Sequence, residues 1–242
     1  LTKYFSCYII ALIHNNIYYM KTKLITSAIA LLGLFVNAAS AEAPSVSGDV
    51  GAKYSSDYHR RGQVLSAEAL QAQVGFNIGM GSVDFYGDLF TNQSTESAGT
   101  DTDEATFGLG TSFWDDSLNA YLGVYNTDSG AGEDDLEAFA SVSLNTLLSP
   151  SVSVYRDTDD SLYTFEGQIS HEVDLNLINL ELAGILGNTD TSATDDSTYY
   201  GAKLTASKTV KESINLYADV ALSDNDARSN ETVWGVGLSV KF

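Results

Sequence analysis

T-V-W-G-V-G-L-S-V-K-F, Thr232 to Phe242, alternates strictly between two kinds of side chain. Trp234, Val236, Leu238, Val240 and Phe242 share one parity; Val233, Gly235, Gly237, Ser239 and Lys241 share the other. Strict alternation marks a strand with one apolar face and one different face. A strand of a soluble sandwich would show the same pattern, so the decision rests on whether the rest of the chain repeats it.

It does. Working outward, alternating segments of about ten residues are each followed by a punctuated break. Val46 to Ser56 is the first and Ala69 to Ile78 the second, after which Gly79-Met80-Gly81-Ser82 turns the chain back. Further runs start near Val83, Ala105, Leu118, Leu136, Val152, Tyr163, Ile178, Tyr200 and Ile214, and the closing run makes about twelve. The connections alternate in expected length. Short ones fall around 79–82, 114–117, 146–150, 174–177 and 208–213, and longer ones around 57–68, 92–103, 126–134, 155–161, 187–198 and 223–231. An even strand number with short periplasmic turns and longer outer loops is the habit of a transmembrane β-barrel. Greek-key crossings would scatter the lengths instead.

The two faces differ in a way that separates a membrane barrel from a soluble one. One parity carries no Lys, Arg, Asp or Glu in the middle of any strand, whereas the other is mixed and polar. A soluble barrel would turn the apolar face inward. Lysine is scarce, although soluble sheets commonly place it on exposed strands and edges. Tyr54, Phe113, Tyr163, Tyr200 and Trp234 gather at strand ends, as an interfacial girdle would. The expectation is an all-β, antiparallel, up-and-down transmembrane barrel of about twelve strands, with both termini periplasmic.

The amino-terminal region is expected to be a leader. Met20 to Lys23 is basic, Leu24 to Val36 is a short apolar run, and Ala39-Ser40-Ala41 is a cleavage site of A-x-A type. Residues 1–19 read as an upstream extension, 20–41 as a secretory signal peptide and 42–242 as the barrel. The 242-residue chain has 32 acids against 12 Lys and Arg, a net charge of −20, which excludes the basic face that nucleic acid requires. Its single cysteine, Cys7, lies in the extension, so the barrel has no disulfide framework.

The ending resembles the closing strand of bacterial outer-membrane barrels of porin type. That resemblance implies that Trp234 and Phe242 act as an assembly signal read by the barrel assembly machinery. A second resemblance lies in Tyr54-Ser55-Ser56-Asp57-Tyr58-His59-Arg60-Arg61-Gly62 followed by Leu70-Gln71-Ala72-Gln73-Val74-Gly75. This is similar to the opening hairpin of an uncharacterised group of proteobacterial outer-membrane proteins with a Y-x-S-D-Y-x-x-R-G pattern. It implies a barrel of porin type with no assigned substrate. His59-Arg60 departs from the aromatic and small residue expected there.

The candidate site is the lumen. The inward parity of the first strand gives Asp49, Lys53, Asp57 and Arg61, alternating in sign and within reach of Asp84 and Asp88 on the third. These form either a salt-bridge ladder in the wall or a constriction that sets ion preference. Glu137, Glu166, Glu181, Lys203 and Asp219 complete the charged inner face, on which acids outnumber bases. Tyr86, Tyr121, Tyr125, Phe139, Tyr155, Tyr199 and Tyr217 also point inward, either filling a narrow barrel or offering a slide for sugars or nucleosides.

Other chemistry is poorly represented. The Asp-rich loops Glu96 to Glu104, Asp128 to Asp135, Asp157 to Asp160 and Asp190 to Asp196 lack the register of a dedicated calcium loop. They read as solvated acidic loops, with weak divalent bridging to lipopolysaccharide as the sharper alternative. His171 follows Ser170 directly, so the two face opposite ways, and the H-x-S arrangement of outer-membrane lipid hydrolases is not present. Neither an enzyme, a cofactor nor a metal centre is expected. The chain reads as a monomeric or trimeric pore for small hydrophilic solutes, weakly cation-preferring. The rival is a closed barrel acting as a structural protein, adhesin or receptor.

Overall fold

A computed structural model of the chain describes residues 44–96, 99–129, 134–190, 196–226 and 228–242. The expected leader and the upstream segment lie outside these residues. Twelve antiparallel strands follow in chain order: β1 (Ser45–Arg60), β2 (Gln63–Met80), β3 (Val83–Ser94), β4 (Thr102–Phe113), β5 (Leu118–Asp128), β6 (Asp134–Leu144), β7 (Ser151–Asp157), β8 (Tyr163–Asp174), β9 (Asn179–Asp190), β10 (Asp196–Lys211), β11 (Ile214–Asn225) and β12 (Arg228–Lys241). Each pairs with its sequence neighbours, and β12 pairs with β1 to close the barrel.

Closure follows from alternation. The seam runs from Asp49 opposite Lys241 to Ser55 opposite Gly235, and Phe242 exchanges backbone hydrogen bonds with Gly48 at 2.9 and 3.0 Å. Because the side-chain period is two, this register sends Trp234, Val236, Leu238 and Val240 outward together with Val50, Ala52 and Tyr54. The outer surface is a continuous apolar band: Leu122 and Val152 are each 65% exposed, and Leu182 and Leu186 each 59%. A closed sheet leaves no strand edge unpaired, and this one carries its apolar side chains on the outside.

The expected alternation of short and long connections is not retained. Strands continue into several segments expected to be loops, because an extended antiparallel pair keeps its backbone groups satisfied beyond the apolar band. The largest difference concerns 57–68, expected as a long loop. Instead β1 and β2 run on to Arg60 opposite Gln63, joined by the two-residue turn Arg61-Gly62. Both turn residues have positive φ (49° and 73°), the geometry of a type I′ hairpin.

That hairpin does not stand upright. The wall pairing of β1 with β12 ends at Ser55, and that of β2 with β3 ends at Ala69. Glu68, at φ 45°, marks the bend, and its carbonyl accepts from both the amide and the hydroxyl of Thr95 at 2.7 Å. On the other strand Ser55 Oγ donates to the Asp57 carbonyl at 2.7 Å, and Ser56 Oγ accepts from the Trp234 amide at 3.1 Å. Past this pinned bend, with a register shift between Tyr58 and His59, the tip folds into the barrel.

Candidate functional site: a hairpin across an acidic lumen

The tip reaches the far wall. Arg61 donates both prongs of its guanidinium to Glu137 on β6, Nη1 to Oε1 at 2.7 Å and Nη2 to Oε2 at 2.6 Å. It also lies over the Tyr155 ring of β7, 4.8 Å from the centroid. Arg60 lies 5.0 Å above the Tyr125 ring of β5 and 3.6 Å from Glu137. On the opposite flank the Gly62 carbonyl accepts from Asn225 Nδ2 of β11 at 2.5 Å. Tyr58 hydroxyl bonds Glu104 of β4, and His59 stands 3.3 Å from Glu231 of β12. A planar fork matches a carboxylate and stacks on aromatic faces, which a lysine could not do at this site.

Gly62 is required at the tip for a second reason besides its φ. A Cβ there would lie 2.7 Å from Tyr199 Cβ and 3.0 Å from Asn225 Cβ. Tyr199 itself is held by its hydroxyl donating to Glu166 at 2.7 Å, and Gln168 holds the other oxygen of that carboxylate. The hairpin therefore rests on a buried polar shelf formed by Glu137, Glu166 and Tyr199.

The remaining candidate residues occupy two stretches of the inner wall. Asp49 and Asp88 converge on Gly75 from either side, Asp88 accepts from Gln73 at 2.7 Å, and Asp84 stands beside Gly79. The expected pairing of Lys53 with its neighbours along β1, or across to Asp84 and Asp88, is corrected. Lys53 reaches over Gly235 to Asp219 on β11, 2.9 Å from both carboxylate oxygens, because Gly235, diagonal to Lys53 on β12 and directly opposite Asp219, has only a hydrogen as its side chain. Nor does Arg61 join a ladder along β1, since the bend carries it across the lumen. Asp57 lies at the root of the hairpin. Glu181 and Lys203 stand on β9 and β10 at the edge of a recess beside the tip.

Five of the seven inward aromatics follow one rule. Tyr86, Tyr121, Phe139, Tyr199 and Tyr217 each lie directly opposite, on the neighbouring strand, Gly108, Gly110, Gly123, Gly187 and Gly237 respectively. A Cβ on any of these glycines would collide with the facing ring. The rings are thus laid flat along the wall instead of standing into the lumen, the device by which aromatic residues cover glycine in sheets. Tyr86 and Tyr121 meet edge to face at 5.7 Å and Phe139 leans on Tyr155 at 5.6 Å, so these four rings line one side. Space remains on both sides of the hairpin: a cavity of about 390 Å³ toward β8–β11 and one of about 260 Å³ toward β4–β8.

Glu104 was missing from the sequence-derived set, because it sits where a loop was expected. Its inward place follows from parity with Thr106 once β4 is seen to begin at Thr102. The two residues expected as an assembly signal lie on the outer face, where Trp234 packs against Tyr54 at 5.6 Å and the Phe242 ring covers Gly48. His171 Nδ1 is 2.8 Å from the Leu147 carbonyl. Among the described residues no group of three or more His, Cys, Asp or Glu is arranged to hold a metal ion.

This architecture has counterparts among solved outer-membrane channels. The KdgM porin superposes with a TM-score of 0.54 at 12% identity, covering 80% of this chain and 99% of that one. For the NanC porin the TM-score is 0.53 at 12% identity, over 81% and 100% of the two chains. The COG4313 outer membrane channel from Pseudomonas putida F1 gives 0.50 at 12% identity, over 84% and 97%. At such identities the likeness is one of fold: the chain shares the closed antiparallel β-barrel architecture of these channels. Neither a protein-family model nor a curated protein matches it, so the Tyr54–Gly62 pattern is not tied to a family by these comparisons.

Proposed function

We propose that the protein is a small outer-membrane channel for passive diffusion of small hydrophilic solutes, weakly cation-preferring, with the β1–β2 hairpin as its constriction. One observation carries this reading. The inner wall is polar and acidic with its rings flattened onto glycines, so space persists on either side of the Arg61–Glu137 pair. Selection comes from the width and charge of those two passages. Arg61 is paired with Glu137, Arg60 lies between Glu137 and Asp135, and both arginines lie over aromatic faces, which leaves Asp49, Asp84 and Asp88 to set the sign of the field. The KdgM porin has been solved in complex with oligogalacturonate, a polyanion; the acidic inner face here favours cations and neutral solutes instead. The end of the barrel at which Gly48 of β1 meets Phe242 faces the periplasm, and the apolar band meets outer-membrane lipid.

A second reading rests on the same hairpin. Firmly seated, it closes the lumen, and the barrel serves as a structural protein, adhesin or receptor through its acidic loops. Swelling of liposomes carrying the refolded barrel, in sugars of graded size, separates the two. Uptake that falls with solute size supports the channel. Swelling no faster than in empty liposomes, for every sugar, supports the plug.

A further inference from the structure

The larger of the two cavities, about 390 Å³, lies between the folded hairpin and the inner wall of β8–β11. It exists because successive inward positions there are small: Ala183, Gly201, Ala221 and Ser223. Its volume falls in the range of small-ligand sites. Two of its lining residues carry opposite charge on adjacent strands, Lys203 on β10 opposite Ala183, and Glu181 on β9 opposite Thr205. They are diagonal neighbours, a relation that sets side-chain origins roughly 7–8 Å apart.

The nearby basic side chains Lys53, Arg60 and Arg61 are already paired. Lys53 has Asp219, while Arg60 and Arg61 have Glu137, all within 4.0 Å. Lys203 and Glu181 have no ion-pair partner among the described residues, including each other. They present an ammonium and a carboxylate side by side to one recess, roofed by Arg61 and flanked by Tyr199. A simple cation entering it meets Lys203 and a simple anion meets Glu181. A solute carrying both charges close together satisfies the two at once, its carboxylate accepting from Lys203 Nζ and its ammonium donating to Glu181.

We infer that this recess is a subsite for small zwitterions of the amino-acid class on the solute path. The inference rests on the channel reading, since the recess lies between the hairpin and the inner wall. Selectivity arises here from paired charges at fixed spacing, in contrast to the wall on β1–β3, where Asp49, Asp84 and Asp88 face the path and Lys53 is paired with Asp219.

The test uses the full barrel refolded in detergent, titrated calorimetrically with glycine, γ-aminobutyrate and ε-aminohexanoate, then inserted in planar bilayers with the same probes. Millimolar binding by one member of the series is expected, together with flickering block of the current. Lys203→Gln and Glu181→Gln should each weaken binding about tenfold. The charge-swapped pair Lys203→Glu with Glu181→Lys should restore it, an outcome a folding defect would not give. Conductance steps with no zwitterion binding, or binding unchanged in both single variants, overturn the subsite and leave the channel standing. Calorimetric binding in a barrel that never conducts keeps the subsite and overturns the channel.

Discussion

Arg61, at the tip of the first hairpin, and Glu137, on the sixth strand, meet across the barrel axis in a two-pronged ion pair at 2.7 and 2.6 Å. Residues 76 positions apart are joined here by a bend in β1 and β2 and not by the sheet register. The pair turns what would be a surface hairpin into a crossbar over the lumen.

Removing the crossbar should widen the path. Arg61→Ala leaves Glu137, 5% exposed, with only the longer contact to Arg60, and frees the tip. Single-channel conductance should rise and cation preference sharpen. Unfolding in detergent should become easier by about 1–3 kcal/mol. The loss in Arg61→Ala combined with Glu137→Ala should fall short of the sum of the single losses, by a coupling of about 0.5–3 kcal/mol. Strict additivity in denaturant titrations would show that the pair does not hold the tip.

Gly62 offers an independent route to the same state. Gly62→Val places a branched side chain at φ 73° and against Tyr199, so the hairpin should leave its seat while Arg61 is intact. Conductance of this variant should approach that of Arg61→Ala. Unchanged conductance, with folding confirmed by the gel mobility of the unheated barrel, would contradict the seating described here.

The glycine-covered aromatics predict the opposite outcome. Gly237→Val pushes the Tyr217 ring off the wall and into the lumen, which should lower conductance and cost about 1–3 kcal/mol of stability. Adding Tyr217→Ala to that variant should return the conductance to the wild-type level or above. A double variant as narrow as the single one would show that the ring is not the obstacle.

The barrel was legible in the sequence because alternation is a local property that survives unchanged into the sheet. Trp234 to Phe242 needed no partner to declare which side chains share a face. The hairpin was not legible in the same way. Tyr54 to Gly62 is polar on both parities, and the register shift at Tyr58/His59 resets whatever alternation remains. The dipeptide Arg61-Gly62 was the available signal, since a glycine closing a two-residue connection favours a tight hairpin over a long loop. Its inward fold depends on Glu68 at positive φ and on Glu137 on the far wall, a contact that no spacing rule encodes. For Lys53, the partner was missed because diagonal reach across a strand depends on the glycine at 235.

Lys53 and Asp219 make a further, separable prediction. Asp219 is 7% exposed and its carboxylate lies 2.9 Å from the ammonium, so Lys53→Met leaves a nearly buried anion without its counter-charge. Cation preference should increase, and stability should fall by about 1–3 kcal/mol. Lys53→Met with Asp219→Asn should recover most of that stability and lose the added preference. Denaturant unfolding and ion-selectivity measurements on the two variants check this together.

The central claim is that an acidic aqueous path runs past the Arg61–Glu137 crossbar. The most direct test is the reversal potential of the purified barrel in a planar bilayer under a potassium chloride gradient. Discrete conductance steps are expected, with a reversal potential of the sign set by potassium permeation, displaced further toward the potassium limit in Arg61→Ala. Silence through repeated insertions, or a potential of the sign set by chloride, would contradict it.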